Sequence, residues 1–172
     1  MNEYLVERTC KACRSIFKFS ITKREAAFAL WTTPDIWNLK CFHCGSTEIY
    51  SLGASPVELD KELLFEWAFD ESLSVDEQDE EVILGNEKYV DILLDLIDNH
   101  NLPTRKRNII IEAFCVVLHD YLTGDGQEVD ENVAERVKQE LLKRKQMVIE
   151  SKDWIMGYVK EAVFPQLGLS LK

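Results

Sequence analysis

The sequence predicts an α+β chain in two parts, a small metal-stabilised β module over residues 1–55 and an acidic, all-α domain over residues 56–172. Three observations carry this expectation. Four of the five cysteines fall in two Cys-x-x-Cys pairs, Cys10/Cys13 and Cys41/Cys44. The stretch Ser51-Leu52-Gly53-Ala54-Ser55-Pro56 interrupts any regular period, and beyond it apolar residues recur at helical spacing. Charge changes at the same point: residues 1–55 hold seven Lys/Arg against five Asp/Glu (net +2), residues 56–100 hold two against fifteen (net −13), and residues 101–172 hold eleven of each.

Each cysteine pair can offer two thiolates from one tight turn, and a hairpin within residues 14–40 is expected to bring the second turn back to the first. Four thiolates complete the tetrahedral shell of Zn²⁺ and leave no position for water or substrate, so one structural zinc per chain is expected at Cys10, Cys13, Cys41 and Cys44. The segment Met1-Asn2-Glu3-Tyr4-Leu5-Val6-Glu7-Arg8 has no apolar run of the kind a secretory signal needs. Reduced thiols in a cytoplasmic protein are therefore expected, rather than disulfides. A redox role would call for one exposed, activated pair in a βαβ setting, not two matched pairs in turn-like sequence. Lys11, Arg14 and Lys40 adjoin the ligands and can offset the two net negative charges of a zinc tetrathiolate. His43 lies inside the second pair, but Cys44 has the standard spacing, so His43 reads as an exposed turn residue.

The runs Thr9-Cys10-Lys11-Ala12-Cys13 and Lys40-Cys41-Phe42-His43-Cys44-Gly45-Ser46 resemble the zinc-ribbon class, with Gly45 following the second pair. The resemblance covers about residues 8–52 and implies a metal and a small β fold. Ribbons serve in nucleic-acid binding, protein docking and plain stabilisation, so it implies no single function. Lys23-Arg24-Glu25-Ala26-Ala27-Phe28-Ala29-Leu30-Trp31 departs from a minimal ribbon and reads as a helical turn or two between the pairs.

After the linker, Leu59, Leu63, Leu64, Trp67 and Ala68 form one face of an amphipathic helix and Glu58, Glu62 and Glu66 another, with Ser55 as a candidate cap. Asp76-Glu77-Gln78-Asp79-Glu80-Glu81 reads as a loop or frayed helix start. Asn86 can cap a second helix whose stripe of Tyr89, Val90, Leu93, Leu94, Leu96 and Ile97 lies opposite Glu87, Asp91, Asp95 and Asp98. Pro103 opens a third helix, in which Ile109-Ile110-Ile111, Ala113-Phe114 and Val116-Val117-Leu118 leave few polar positions. Gly124-Asp125-Gly126 ends it. Asp130 can cap a long fourth helix carrying Val133, Val137, Leu141, Val148, Ile155 and Val159, bent or broken at Ser151 or Gly157. A helical bundle is the favoured arrangement, and a short HEAT-like stack the alternative.

No stretch reaches the roughly 20 apolar residues that span a bilayer. No Gly-rich phosphate loop, G-x-S-x-G elbow or H-E-x-x-H pair occurs, and the carboxylates follow solvent-facing helical spacing, so the chain reads as a non-enzyme. Cys115 and His119 share a helix face but read as core, and Asp120 to Asn132 lacks the ligand positions of a calcium loop and reads as a polar connection. Two binding functions remain. In the favoured one, the faces Glu58/Glu62/Glu66 and Glu87/Asp91/Asp95/Asp98 dock a basic protein, as an adaptor, inhibitor or immunity-type protein would. In the alternative, Arg8, Lys11, Arg14, Lys18, Lys23, Arg24 and Lys40, interleaved with Phe17, Phe19, Trp31 and Trp37, hold nucleic acid.

Overall fold

A computed structural model describes residues 3–28, 39–50, 58–75 and 80–172. They form a mixed α+β chain, in which a two-stranded antiparallel sheet precedes a mostly helical remainder. The chain divides into two compact units, Met1–Leu63 with Leu73–Asp76 and Leu64–Ser72 with Glu77–Lys172. The Ser51 to Pro56 linker, Ala29, Leu30, Trp31, Trp37 and the acidic run Asp76 to Asp79 lie outside the described residues.

In the first unit, β1 (Glu3–Thr9) pairs with β2 (Ile16–Thr22) in the register Tyr4↔Ile21, Val6↔Phe19 and Arg8↔Phe17. Side chains alternate across a sheet, so these pairs share one face, where Arg8, Phe17 and Ile21 are buried. The opposite face is solvated and carries the Lys18–Glu7 ion pair at 3.3 Å. The hairpin therefore encloses the first cysteine pair as its turn, and among the described residues none lies wholly between the pairs, where it was expected. The β-prone alternation of Ile16 to Thr22 finds its partner upstream, in Glu3 to Thr9. A helix of little more than a turn, α1 (Lys23–Ala27), follows directly. Thr22 begins it with a reciprocal cap: its Oγ1 accepts from Glu25 N at 3.2 Å, while its own N–H donates to Glu25 Oε2 at 2.7 Å. Asp60, ion-paired with Lys23 at 2.8 Å, accepts from Leu63 N at 2.9 Å and so caps α2 (Lys61–Phe69), the role the sequence offered to Ser55.

The second unit contains α3 (Glu80–Leu84), a 3-10 turn at Glu87–Tyr89, α4 (Val90–Ile97), α5 (Thr104–Thr123), α6 (Glu131–Lys143), α7 (Lys145–Glu150) and α8 (Gly157–Leu167). As expected, α5 is the core helix: every residue from Asn108 to His119 is buried, and α3, α4, α6 and α8 all pack on it. Gly85 permits the approach of α3, because a Cβ there would stand 2.7 Å from both Glu81 O and Val116 Cγ1. Asn86 Oδ1 accepts from Lys88 N at 3.1 Å, so it caps the 3-10 turn that leads into α4.

The long fourth helix, expected to bend or break at Ser151 or Gly157, is three helices, broken at Arg144 and after Ser151. Asp130 caps α6 by accepting from Asn132 N at 2.8 Å, but the backbone turns at Arg144, whose side chain is anchored to Asp98 and to Glu140. The second break follows Ser151, whose hydroxyl donates to Asn108 Oδ1 at 2.9 Å in the interior. Polar bonds, two of them to other helices, thus accompany both breaks in the apolar stripe.

The interior of this unit also holds charge. Lys106 is 0% exposed with its ammonium 4.4 Å from the centre of the Trp67 ring, and the indole Nε1 donates to buried Glu80 at 2.8 Å. Burial lowers the Lys106 pKa to about 8, against the opposing pull of Glu80. Glu112 accepts from Met156 N at 3.1 Å just ahead of α8, and burial raises its pKa to about 7.

Candidate metal centre

Each cysteine pair forms a knuckle built from its own backbone. In the first, Cys10 N donates to Ser15 O at 3.0 Å and Arg14 N to Cys10 O at 3.0 Å; in the second, Cys41 N donates to Ser46 O at 2.8 Å and Gly45 N to Cys41 O at 2.9 Å. Both turns close through a left-handed residue directly after the second cysteine, Arg14 at φ 60° and Gly45 at φ 73°. His43 N also points at Cys41 Sγ, at 3.4 Å. Sequence distance between the knuckles is bridged by Lys11 N to Glu48 O at 2.8 Å and Tyr50 N to Thr9 O at 3.0 Å, which lock the second knuckle against the end of β1.

This places all four sulfurs within 4.8 Å of one another. Cys10 Sγ lies 3.6 Å from Cys44 Sγ, and Cys13 Sγ 3.6 Å from Cys41 Sγ. Cys10 and Cys41 are buried beside Phe17, with Phe19, Leu39 and Ile49 packed around them, while Cys13 and Cys44 face outward. Among the described residues this is the sole grouping of three or more His, Cys, Asp or Glu side chains able to hold a metal ion. Four soft sulfur donors suit a thiophilic metal.

The protons of the four thiols are shared unequally. The hydroxyl and backbone N–H of Ser15 lower the Cys13 pKa to about 6. At Cys44 the backbone N–H of Ser46 acts in the same direction, but Cys13, burial and the other two thiols outweigh it and push the pKa up to about 12. Four negative charges do not coexist at this spacing without a cation among them.

The residues expected to surround the site separate into groups. Lys11, Arg14 and Lys40 are exposed beside the cluster, as expected, with the Lys11 ammonium 5.3 Å from the centre of the Tyr50 ring. Arg8 is buried in the sheet face and donates to Glu7 O at 2.7 Å, so it does not belong to an exposed cationic set. Lys18 and Lys23 are engaged with Glu7 and Asp60, and Arg24 lies 5.9 Å from the Phe28 ring. Phe17 is buried and packs against Phe42 with ring centres 4.9 Å apart, which leaves Phe42, 64% exposed, as the aromatic surface of the second knuckle.

The carboxylates of the acidic faces divide likewise. Glu58 and Glu62 are exposed, and Glu66 is half-buried. Of the second stripe, Asp91 pairs with Arg136, Asp98 takes Arg144 in a two-pronged contact at 2.6 and 2.9 Å, and Glu87 accepts from Asp130 N at 2.9 Å. Asp95 is exposed. Much of that stripe therefore fastens α4 and the preceding turn to α6 and its cap.

Sequence reasoning missed the left-handed Arg14, whose signal was its equivalence to Gly45 by position after the pair. It also passed over Glu80, Lys106 and Glu112. Lys106 stands four residues before Ile110, on the apolar stripe of α5, and that placement was the available sign. No helix among the described residues is long and apolar enough to cross a membrane. No protein family, no curated protein and no solved structure matches the chain.

Proposed function

We propose that this chain is a zinc-stabilised protein–protein interaction module of adaptor, inhibitor or immunity type, which docks a basic partner through its acidic helical part. The observation that carries the zinc assignment is the sulfur geometry. A tetrahedron with metal–sulfur bonds of about 2.3 Å has edges of about 3.8 Å, and two of the sulfur–sulfur distances are 3.6 Å. Four protein thiolates fill the shell, so the ion binds no substrate and serves to hold the knuckles together. Reduced thiolates of this kind suit the cytoplasm. A non-enzymatic role agrees with a closed metal shell.

A basic protein partner is supported by the net −13 of residues 56–100 within a chain of net −11. Glu58, Glu62 and Asp95 are exposed. The helical part is read as a bundle about α5 rather than as a HEAT-like stack, because α5 contacts four helices and not sequence neighbours alone.

A second reading, nucleic-acid binding by the ribbon, is favoured by one observation: Lys11, Arg14 and Lys40 are exposed, as are the rings of Phe42 and Tyr50, with the Lys11 ammonium 5.3 Å from the Tyr50 ring centre. The overall negative charge opposes it. One experiment separates the readings. The zinc-loaded full chain is titrated with lysine- and arginine-rich peptides and with mixed single- and double-stranded oligonucleotides across a salt series. Salt-sensitive binding of the peptides alone is expected. Binding of the oligonucleotides alone overturns protein docking in favour of the second reading.

A further inference from the structure

A cleft of about 370 Å³ opens in the helical unit between α5, the connection from α5 to α6, and the start of α8. Its volume falls at the lower end of small-ligand sites, about 300 to 1,000 Å³. Valines 82, 116 and 159 supply apolar wall, and His119, Asp120, Asp125 and Tyr158 supply the polar and aromatic groups. We propose that this cleft receives the guanidinium or ammonium group of a basic side chain carried by the docked protein partner. The inference rests on the docking function proposed above and gives that contact a specific seat.

Three features of the cleft point to such a group. First, it is built and not merely an accumulation of acids. Asp120 Oδ1 stands 3.2 Å from His119 Nδ1, and Asp120 Oδ2 accepts from Gln127 N at 3.3 Å. Gln127 Nε2 in turn donates to Gly85 O, tying the connection to the end of α3. The connection presses so closely on Asp120 that a Cβ at Gly126, where φ is +101°, would lie 2.6 Å from both carboxylate oxygens. The carboxylate is thus fixed before any ligand arrives.

Second, the cleft gathers acceptors that hold no other partner among the described residues. His119 is nine-tenths buried; its Nδ1 faces Asp120, while its Nε2 makes no hydrogen bond to any described residue and is not sealed from solvent. If Nδ1–H donates to Asp120, Nε2 presents a lone pair. The Asp125 carboxylate is exposed and holds no partner among the described residues; only its backbone N–H is used, by Thr123 Oγ1 at 3.2 Å. Two carboxylates beside an imidazole offer acceptors, and a cation with several N–H groups can satisfy them together.

Third, the cleft carries an exposed aromatic ring. Tyr158 is 55% exposed, and its ring meets His119 edge-on with centres 5.2 Å apart. Its hydroxyl donates to Met156 Sδ at 3.3 Å, which restrains the ring. An exposed ring beside carboxylates attracts guanidinium or ammonium, and the valines accommodate the methylene stem that carries it.

The test uses the zinc-loaded full chain labelled with ¹⁵N. N-acetyl-arginine amide is titrated in beside N-acetyl-citrulline amide, which has the same shape without the charge, and an arginine-rich peptide is titrated in parallel. The arginine probe and the peptide are expected to shift the amides of residues 119–127 and 158 in a saturable manner, and citrulline is not. Asp125→Asn, an exposed change, should weaken both by about two- to fivefold, less at high salt, in keeping with a solvent-accessible charge pair. Peptide binding that leaves those amides unmoved and is unchanged by Asp125→Asn overturns the cleft while leaving docking intact. Saturable binding of the free arginine probe without any peptide binding also overturns the assignment, since the cleft would then serve a small cation and docking itself would fail.

Discussion

The two units solve the problem of stability by different means. In the ribbon-like unit the buried apolar side chains about the cluster are Cys10, Phe17 and Cys41, with a second small group of Ile21 and Ala26. The helical unit surrounds α5 with an unbroken run of buried residues from Asn108 to His119. Apolar groups this small about the cysteines gain from a crosslink, whereas the helical unit has enough burial to tolerate charge inside it. The two should therefore respond to different perturbations, metal removal for the first and pH for the second.

Metal removal should have the largest effect. Structural zinc sites contribute about 10–16 kcal/mol of apparent binding free energy in small zinc-finger peptides at neutral pH, which exceeds the stability of most small domains. Chelation, or Cys41→Ser, is expected to abolish amide-exchange protection across Glu3–Thr9 and Ile16–Thr22. Protection in α5 and α6 should persist. Retained protection in both strands of a metal-free chain would show that the hairpin stands without its crosslink.

A shift in pH should act in the opposite pattern. Glu112 binds its proton more tightly in the folded state, with a pKa of about 7 against the ordinary 4.5. The stability it contributes is full below the unfolded pKa and is lost as pH rises through about 7. Lys106 binds its proton less tightly when folded, near 8 against 10.5, so stability rises again as pH climbs from about 8 through the unfolded value. The helical unit should have a stability trough between about pH 7 and 8. Glu112→Gln should remove the fall on the acid side, roughly 3 kcal/mol at the conversion of 1.36 kcal/mol per pKa unit, and Lys106→Met the rise on the alkaline side. Thermal melting of the two variants between pH 4 and 10 checks both arms; a trough that survives Glu112→Gln unchanged would refute the assignment.

The same contrast governs what could be read from sequence. The cysteine pairs were legible because metal coordination restricts residue type and spacing together. The helices were legible where a stripe was long, as in Ile109 to Leu118. The hairpin's placement was not, because the strand Glu3 to Thr9 carries charge at Glu3, Glu7 and Arg8 and gives little sign of its pairing partner. Ser151 was legible as a break, but the one at Arg144 was hidden for a related reason: the carboxylates that anchor it, Asp98 and Glu140, reach from another element or across a helical turn. The cleft at His119 was hidden too. Its residues come from four separate segments, and none forms a motif alone.

Within the ribbon-like unit the two knuckles offer a finer comparison and the smallest expected effect. Arg14 and Gly45 occupy equivalent left-handed positions, yet one has a side chain and the other does not. A Cβ at Gly45 would meet nothing within 4 Å, so Gly45→Ala isolates the backbone cost of that conformation, about 1–2 kcal/mol. Arg14→Gly should return a similar amount, measured as a rise in the melting temperature of the strands and slower loss of zinc to a chelator. Arg14 also places a cation beside four thiolates, and that attraction would vanish with the side chain. Arg14→Asn separates the two contributions, since asparagine tolerates the left-handed region and carries no charge. Stabilisation by both variants means that strain dominates at the first knuckle. Destabilisation by both means that the guanidinium offsets the thiolate charge by more than the backbone costs, which would make the first knuckle the electrostatic support of the site and the second its geometric one.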